Sequence, residues 1–457
     1  MSAGFDWIVV MMLALGTGGG GDTLSYVPTD AYWKAKNVAV TAEAMAAELK
    51  APVAQPADAN APKANDIRRL MAIRALGELK AKDAAAALKA LTESKELFVA
   101  DYARDALAAI EGKPTIAPRP SAAVLAKDVG VLGANCAAVF QVCLRLKTQP
   151  GMDALMAQMP EMDEAAKADT KDRLLQTLIP MLERSGNARL EAMTLGVSDD
   201  IGPRKGSIVM IARGVYDANA TREVLRSASD FTASVKRENP TFDGVEVIRV
   251  GGDAGFILPS DDCLVLVTGP GTKELPYEAT IKAIKAGKGS LAENAEMAKL
   301  LKSVDANSPL WAVIEVSEAY GQCPYLDGLD SVTLTANVKD DTIAASVAAI
   351  GKDANDVPQF LESVKADIDS AKDRLTKTVE RFAAAKVICE PFISLLDSIS
   401  IKADGVKLTA KAEIKNASKF LTLMPMRMLG SMSVRSSATG GQSQNARPAA
   451  TPRGTDF

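Results

Sequence analysis

The clearest candidate for chemistry lies near the start of the chain. The run Gly16-Thr17-Gly18-Gly19-Gly20-Gly21 follows an apolar stretch and satisfies the G-x-G-x-x-G spacing. In a dinucleotide-binding fold this spacing lets the backbone approach a pyrophosphate at the start of a helix, which then packs back on its strand. Here Asp22 to Pro28 follow, with proline where the helix should continue. The context therefore argues against a dinucleotide loop.

The same region fits an export signal better. Trp7 to Leu15 form an apolar core of signal-peptide length, too short to span a bilayer, and small residues such as Ala14, Gly16 and Gly18 follow it. The preceding residues contain Asp6 and no lysine or arginine, which is unusual for a signal. We expect residues 1–21 to be a signal peptide and the protein to be periplasmic or secreted. A cytoplasmic protein, with this segment as a buried strand, is the alternative.

Three pairs of carboxylates could ligate a hard cation or divide the roles of acid and base. They are Asp199-Asp200, Asp261-Asp262 and Asp340-Asp341. Each pair lies at a predicted hairpin turn or strand edge, where aspartate is favoured because it hydrogen-bonds the local backbone. None has the spacing of a calcium loop. We predict turn residues at all three places.

A glycine-containing turn, Gly269-Pro270-Gly271-Thr272-Lys273, follows the apolar run CLVLVT. A phosphate-binding loop needs G-x-x-x-x-G-K-[ST], but Lys273 is followed by Glu274, and the proline removes one backbone donor. This segment is predicted to be a strand-to-helix turn.

The chain contains no histidine, which removes the usual general base and the commonest metal ligand. Its five cysteines show no C-x-x-C spacing, so we predict structural thiols. We therefore predict no catalytic, cofactor-binding or metal-ligating residue and no cofactor. The cysteines are Cys136, Cys143, Cys263, Cys323 and Cys389.

Composition indicates a globular protein of more than one domain. The chain has 457 residues, of which 47% are apolar and 24% are charged, with a net charge of −4. This balance creates no strong field for nucleic acid, so we expect no nucleic-acid partner. We also expect no transmembrane span in the mature chain.

The first predicted unit is helical. Residues 22–64 contain one helix candidate, 41–50, and an Ala/Pro-rich linker. In residues 65–113 the apolar positions recur at helical spacing and predict three helices. The segments AIRALGEL and VADYARDALAAIEG resemble HEAT repeats over one full repeat and half of a second. The resemblance implies a protein-binding surface, and packing against the neighbouring domain is the alternative.

Residues 126–430 are predicted to hold two copies of a strand, hairpin, helix, hairpin, helix unit, at 126–308 and 309–430. Strand 332–338 alternates apolar and polar residues, as a sheet covered on one side does. A single long helix is expected from about 356 to 389, and Pro180 is expected to kink or break the helix at 170–185. The predicted fold class is α+β: a HEAT-like module followed by two antiparallel sheets with helices packed on one face.

The opening DTLSYVPTDAYW, together with the tandem units, resembles uncharacterised exported bacterial proteins. Residues 431–457 are rich in Ser, Gly, Ala and Pro and are predicted to be a disordered tail. We expect a non-catalytic exported binding or scaffolding protein whose partner is a protein or a cell-envelope component. The alternative is a carboxylate- or lysine-dependent enzyme, or a small-ligand binder, with a cleft between the two α+β copies.

Overall fold

The computed structural model describes residues 22–51, 67–113, 127–143, 152, 156, 163–198, 206–232, 239–249, 254–269, 276–306, 308–316, 326, 328–339, 341–382 and 386–415. The predicted signal peptide, most of the Ala/Pro-rich linker and the predicted tail lie outside these residues.

Five helices form the N-terminal part of the molecule: α1 (Thr29–Ala35), α2 (Ala42–Lys50), α3 (Ile67–Glu78), α4 (Ala85–Leu91) and α5 (Val99–Glu111). The last three are the helices predicted over 65–113. Gly77 allows α3 and α5 to cross closely, because a Cβ at this position would lie 2.7 Å from the Cα of Ala106. The apolar faces of α3 and α5 meet at this crossing.

Residues 22–35 contain elements that the sequence analysis did not predict. A short 3-10 turn at Thr23–Tyr26 precedes α1. Leu24, Tyr32 and Trp33 are fully buried in the same apolar cluster as α3, α5 and the first strands of the sheet. The helical module and the sheet therefore share one core.

The strands are all antiparallel and form one twelve-stranded sheet in the order β11-β12-β10-β9-β8-β1-β2-β3-β7-β6-β5-β4. They are β1 (Cys136–Val142), β2 (Arg189–Ser198), β3 (Ile208–Val215), β4 (Thr241–Phe242), β5 (Val245–Arg249), β6 (Ala254–Ser260), β7 (Cys263–Thr268), β8 (Leu310–Glu315), β9 (Leu329–Lys339), β10 (Thr342–Gly351), β11 (Ser400–Asp404) and β12 (Lys407–Lys415).

The strand order repeats about the centre of this sheet. Outward from β1 it runs β1-β2-β3-β7-β6, and outward from β8 it runs β8-β9-β10-β12-β11. We call β1–β7 the first half and β8–β12 the second half. The halves join directly because β1 pairs with β8. The predicted α+β class is confirmed, with the two antiparallel units fused edge to edge into one sheet.

Further helices in the described residues are α6 (Glu164–Ser185), α7 (Ala218–Thr232), α8 (Tyr277–Ala286), α9 (Ala295–Ser303), α10 (Val357–Arg381) and α11 (Lys386–Ser398). α6 continues through Pro180, so the expected break is absent; the buried side chains of Leu178, Ile179 and Leu182 hold this stretch against the core. The single helix expected from 356 to 389 is instead two helices, because α10 ends at Arg381 and α11 begins at Lys386.

The front face of the sheet is apolar across both halves. One row of directly opposed residues crosses eleven strands without a polar side chain. The row is Ile248, Phe256, Leu266, Met210, Leu195, Phe140, Ala312, Leu334, Val347, Ala410 and Ile401. Since opposed residues in antiparallel strands point to the same side, the whole row faces one layer.

The back face changes character within the first half, between β3 and β2. The neighbouring row is apolar on β5, β6, β7 and β3 and polar from β2 onward, apart from Trp311. That row is Val247, Ile257, Val265, Ile211, Thr194, Gln141, Trp311, Thr335, Ser346, Lys411 and Ser400. The two halves therefore share a topology but differ in what their back faces can pack against.

Helix packing follows this difference. In the first half the front-face residue Leu264 packs with the N-terminal helices, while its back-face neighbour Val265 packs with Ile281 of α8 and Met297 of α9. Helices thus cover both faces of the first half, rather than the single face expected from the sequence. In the second half, Val357 and Phe360 of α10 pack on the front face.

Candidate functional site

The described members of the carboxylate pairs lie in turns. Asp262 lies in the turn between β6 and β7, and Asp341 in the turn between β9 and β10, as the sequence predicted. Asp199, Asp200 and Asp340 lie outside the described residues, as do residues 270–273 of the glycine-containing turn. Among the residues that the structure describes, no three Cys, Asp or Glu side chains form a group that could hold a metal ion.

Asp262 instead belongs to an ion cluster on the back face. The Arg213 guanidinium donates to both carboxylate oxygens of the buried Asp128, with Nε–Oδ2 2.9 Å and Nη2–Oδ1 2.6 Å, and its Nη1 lies 3.3 Å from Asp262. Ser260 Oγ donates to Asp262 at 2.6 Å. Asp128 comes from the segment just before β1, so the cluster ties that segment to β3 and to the β6–β7 turn. All three nitrogen atoms of the Arg213 guanidinium therefore contact carboxylates of the fold.

The described cysteines fit the prediction of structural thiols in their burial. Cys136, Cys263 and Cys389 are buried, and Cys143 is half-buried. Burial raises the pKa of Cys263 to about 12, against a smaller opposing effect of Arg213, so this thiol stays protonated at neutral pH. Cys323 lies outside the described residues.

A cavity of about 570 Å³ lies on the back face of the first half, between the segment preceding β1, the ends of β2 and β3, and α8. Its volume is within the range of small-molecule sites. Uncharged groups of Cys136, Ser198 and Thr280, all three buried residues, contribute to its lining. The lysine and glutamate side chains of the lining are exposed.

This cavity offers hydrogen bonds rather than an evident catalytic pair. Ser198 Oγ accepts a bond of 2.7 Å from the Ser207 backbone N–H, which leaves its own proton to donate. Lys282, on the lining, forms an ion pair with Glu278 at 2.7 Å. A second cavity, of about 320 Å³, lies between α10 and β9. Both cavities lie within a half, whereas the halves themselves meet through β1 and β8.

The back face of β9–β12 carries exposed charged side chains. Its residues are Ser331, Thr333, Thr335, Asn337, Lys339, Thr342, Ala344, Ser346, Ala348, Ile350, Ser400, Lys402, Asp404, Lys407, Thr409, Lys411, Glu413 and Lys415. We call this set the lysine face. All five of its lysines are exposed, and within the described part of the chain none forms an ion pair. Five lysines against two carboxylates give it a net charge of +3, opposite in sign to the −4 of the chain.

The first half differs from the lysine face in how its charges are used. Arg226 pairs with Glu223 and Glu246 at 2.5 and 2.6 Å, and Lys285 pairs with Asp243 at 2.8 Å. Arg226 lowers the pKa of Glu246, as an ion pair does. The sequence analysis missed the lysine face, although β12 carries a readable signal: lysine at every fourth residue, so always on the same side of a strand.

No protein family and no curated protein matches the chain. Among solved structures, the chain is similar to crystal form III of TP0453, at 15% identity and a TM-score of 0.34, covering 65% of this chain and 97% of that one. It is similar to crystal form I of TP0453 at 13% identity and a TM-score of 0.32, covering 65% and 96%. A likeness at this level says nothing about what the chain binds.

No helix in the described ranges combines the length and the apolar character that crossing a bilayer would need.

Proposed function

We propose that the protein is a non-catalytic, exported binding or scaffolding protein, and that its second half presents the binding surface. The observation that carries this proposal is the contrast between the two halves. Helices cover both faces of the first half, while the equivalent back face of β9–β12 carries exposed lysines that form no ion pair in the described residues. A charged sheet face of this kind is available to a partner.

The absence of histidine from the sequence supports binding over catalysis. An enzyme of this sequence would need a carboxylate, lysine, tyrosine or cysteine as its acid or base. Two buried acids are engaged with other side chains of the fold: Asp128 with Arg213, and Asp22 with Tyr102. These contacts hold segments of the chain together.

Affinity capture from a cell-envelope extract tests the proposal. We expect the intact protein to retain a defined component, and a variant with Lys407, Lys411 and Lys415 changed to glutamine to lose it. A matched variant with Lys82, Lys89 and Lys95 changed to glutamine, all exposed on the helical module, should retain it. Equal retention by both variants would argue against the second half as the binding surface.

The export part of the proposal rests on the apolar segment Trp7–Leu15 and the small residues after it. Mass spectrometry of the protein from fractionated cells should find a mature amino terminus close to Asp22 in the extracytoplasmic fraction. Recovery of the complete amino terminus in the cytoplasmic fraction would refute it.

Small-ligand binding is a second candidate, supported by the 570 Å³ cavity beside α8. In a thermal-shift screen of metabolites, a true ligand would raise the unfolding temperature while other metabolites would not, since a ligand that binds only the folded state stabilises it. Ser198→Ala should abolish that shift, because it removes a hydroxyl from the cavity lining. NAD and ATP at millimolar concentration should give no shift, since no dinucleotide or phosphate loop is predicted.

A further inference from the structure

We propose that the lysine face binds a linear anionic polysaccharide. This inference rests on the proposed binding function and names the partner of its surface. Three features of the lysine face carry it: the spacing of the lysines, the hydroxyl and amide groups between them, and the absence of aromatic side chains from the set.

The lysines form a line rather than a patch. Lys407, Lys411 and Lys415 stand at every fourth residue of β12, which places them on the order of 13 to 14 Å apart along the strand. Lys402 on β11 lies opposite Thr409, between the first two of these lysines. A linear polymer with regularly repeated carboxylates can meet such a line, and the flexible lysine stems accommodate differences in spacing.

Small polar side chains fill the space beside the lysines. Thr335 and Ser346 are directly opposed, and Ser346 is opposed to Lys411 in turn. A hydroxyl both donates and accepts hydrogen bonds. A polyhydroxylated chain supplies both donors and acceptors to these groups through its own hydroxyls. The mixture of lysine with threonine, serine and asparagine therefore fits a polymer that has both charge and hydroxyl groups.

Other anionic partners match the lysine face less well. Single-stranded nucleic acid is held by stacking its bases on aromatic side chains, and the set has none. Binding to an anionic bilayer is strengthened by apolar side chains that insert below the head groups. The lysine face has one large apolar residue, Ile350, so it has little to insert.

Fluorescence anisotropy with labelled polygalacturonate, a carboxylate polysaccharide, tests the proposal on the intact purified protein. We expect binding that weakens with added salt. Changing Lys402, Lys407, Lys411 and Lys415 to glutamine should weaken it roughly tenfold or more, as the sum of several exposed ion pairs. Changing Lys50, Lys82, Lys89 and Lys95 to glutamine removes the same charge elsewhere and should change affinity less than about twofold.

A second variant separates the hydroxyl contribution from charge. Ser346→Ala with Thr409→Val should weaken polygalacturonate binding about threefold and leave the weaker binding of poly-glutamate unchanged. Tighter binding of poly-glutamate, or of phosphatidylglycerol vesicles, than of polygalacturonate would overturn the polysaccharide assignment. Equal affinities of the two quadruple variants would also overturn it. A captured envelope component lost in the lysine-face variant would, even then, leave the proposed binding function standing.

Discussion

Arg213 and Asp128 form the most buried ion pair on the back face of the first half. The Asp128 side chain is 2% exposed and Arg213 19%. We predict that Asp128→Asn destabilises the protein by roughly 3 kcal/mol, because it removes the buried charged partner of the guanidinium and leaves only the exposed Asp262. Urea unfolding measures this loss. The double variant Asp128→Leu with Arg213→Met should recover part of it; if its loss equals the sum of the two single losses, the pair is not coupled.

Asp22 is a buried carboxylate outside any ion pair in the described structure. Its Oδ1 accepts bonds from the Tyr102 hydroxyl (2.8 Å) and the Ser25 backbone N–H (3.2 Å). Burial raises its pKa above the ordinary 3.8, although bonds from Asn187 and Tyr102 and the charges of Arg189 and Arg74 act in the opposite direction. The folded protein therefore holds this proton more tightly than the unfolded chain does.

The raised pKa of Asp22 predicts a pH dependence of stability. Its favourable contribution is complete below pH 3.8 and is lost as the pH rises through the higher folded value. Asp22→Asn keeps an oxygen that can accept both bonds and removes the charge. We expect this variant to be more stable than the native protein at pH 8, because its uncharged amide avoids the cost of burying a carboxylate, and to lose that advantage toward pH 4. Urea unfolding at both pH values checks this; a constant difference would contradict it.

At the level of elements, several boundaries carry local signals in the sequence. The turn at Asp404-Gly405 joins β11 to β12, and Gly405 has a φ of 58°, which glycine adopts without strain. Asp217 caps α7 by accepting from the backbone N–H groups of Asn219 and Ala220. Such signals act over a few residues, so a sequence can show them without knowledge of the fold.

Errors arose where a distant contact overrides a local preference. Proline at 180 lacks the backbone N–H that continues a helix, yet buried neighbours on either side of it hold α6 in place. The candidate site shows the same limit. The lysines of β12 can be read as one side of a strand, but their exposure depends on which helices reach the back face, and no local pattern determines that.

The junction of the halves contains a buried polar contact that no local pattern indicates. Trp311 Nε1 donates to Gln141 Oε1 at 2.9 Å, and Gln141 Nε2 donates to Thr194 Oγ1 at 3.2 Å. Because the two partners come from β8 and β1, 170 residues apart, the sequence alone could not pair them.

Gln141→Leu tests how the halves are held together. This change leaves the Trp311 indole N–H and the Thr194 hydroxyl without this partner in a buried place, so we predict a loss of about 1 to 3 kcal/mol for each. Gln141→Glu keeps an acceptor for Trp311 and should leave the indole fluorescence closer to that of the native protein. Equal unfolding midpoints for Gln141→Leu and the native protein would show that the contact does not stabilise the junction.

For the whole molecule, the segment before α2 connects the helical module to the sheet. The Thr23 backbone N–H donates to the Ala188 carbonyl at 3.0 Å, and Arg74 of α3 donates to the Leu24 and Val27 carbonyls. The Tyr32 hydroxyl donates to Glu183 of α6 at 2.9 Å. One short segment thus contacts both the helical module and the first half of the sheet. These hydrogen bonds predict that the helical module and the first half unfold together.

Trp33 lies at the centre of this shared core and is fully buried. We predict that Trp33→Ala costs about 3 to 5 kcal/mol and that hydrogen exchange then accelerates in β2 and β7 as much as in α3 and α5. Lys34→Ala, at the exposed neighbouring position, should leave exchange unchanged in all four elements. Acceleration confined to α3 and α5 would mean that the helical module opens alone. The module and the sheet would then pack on one core but unfold independently.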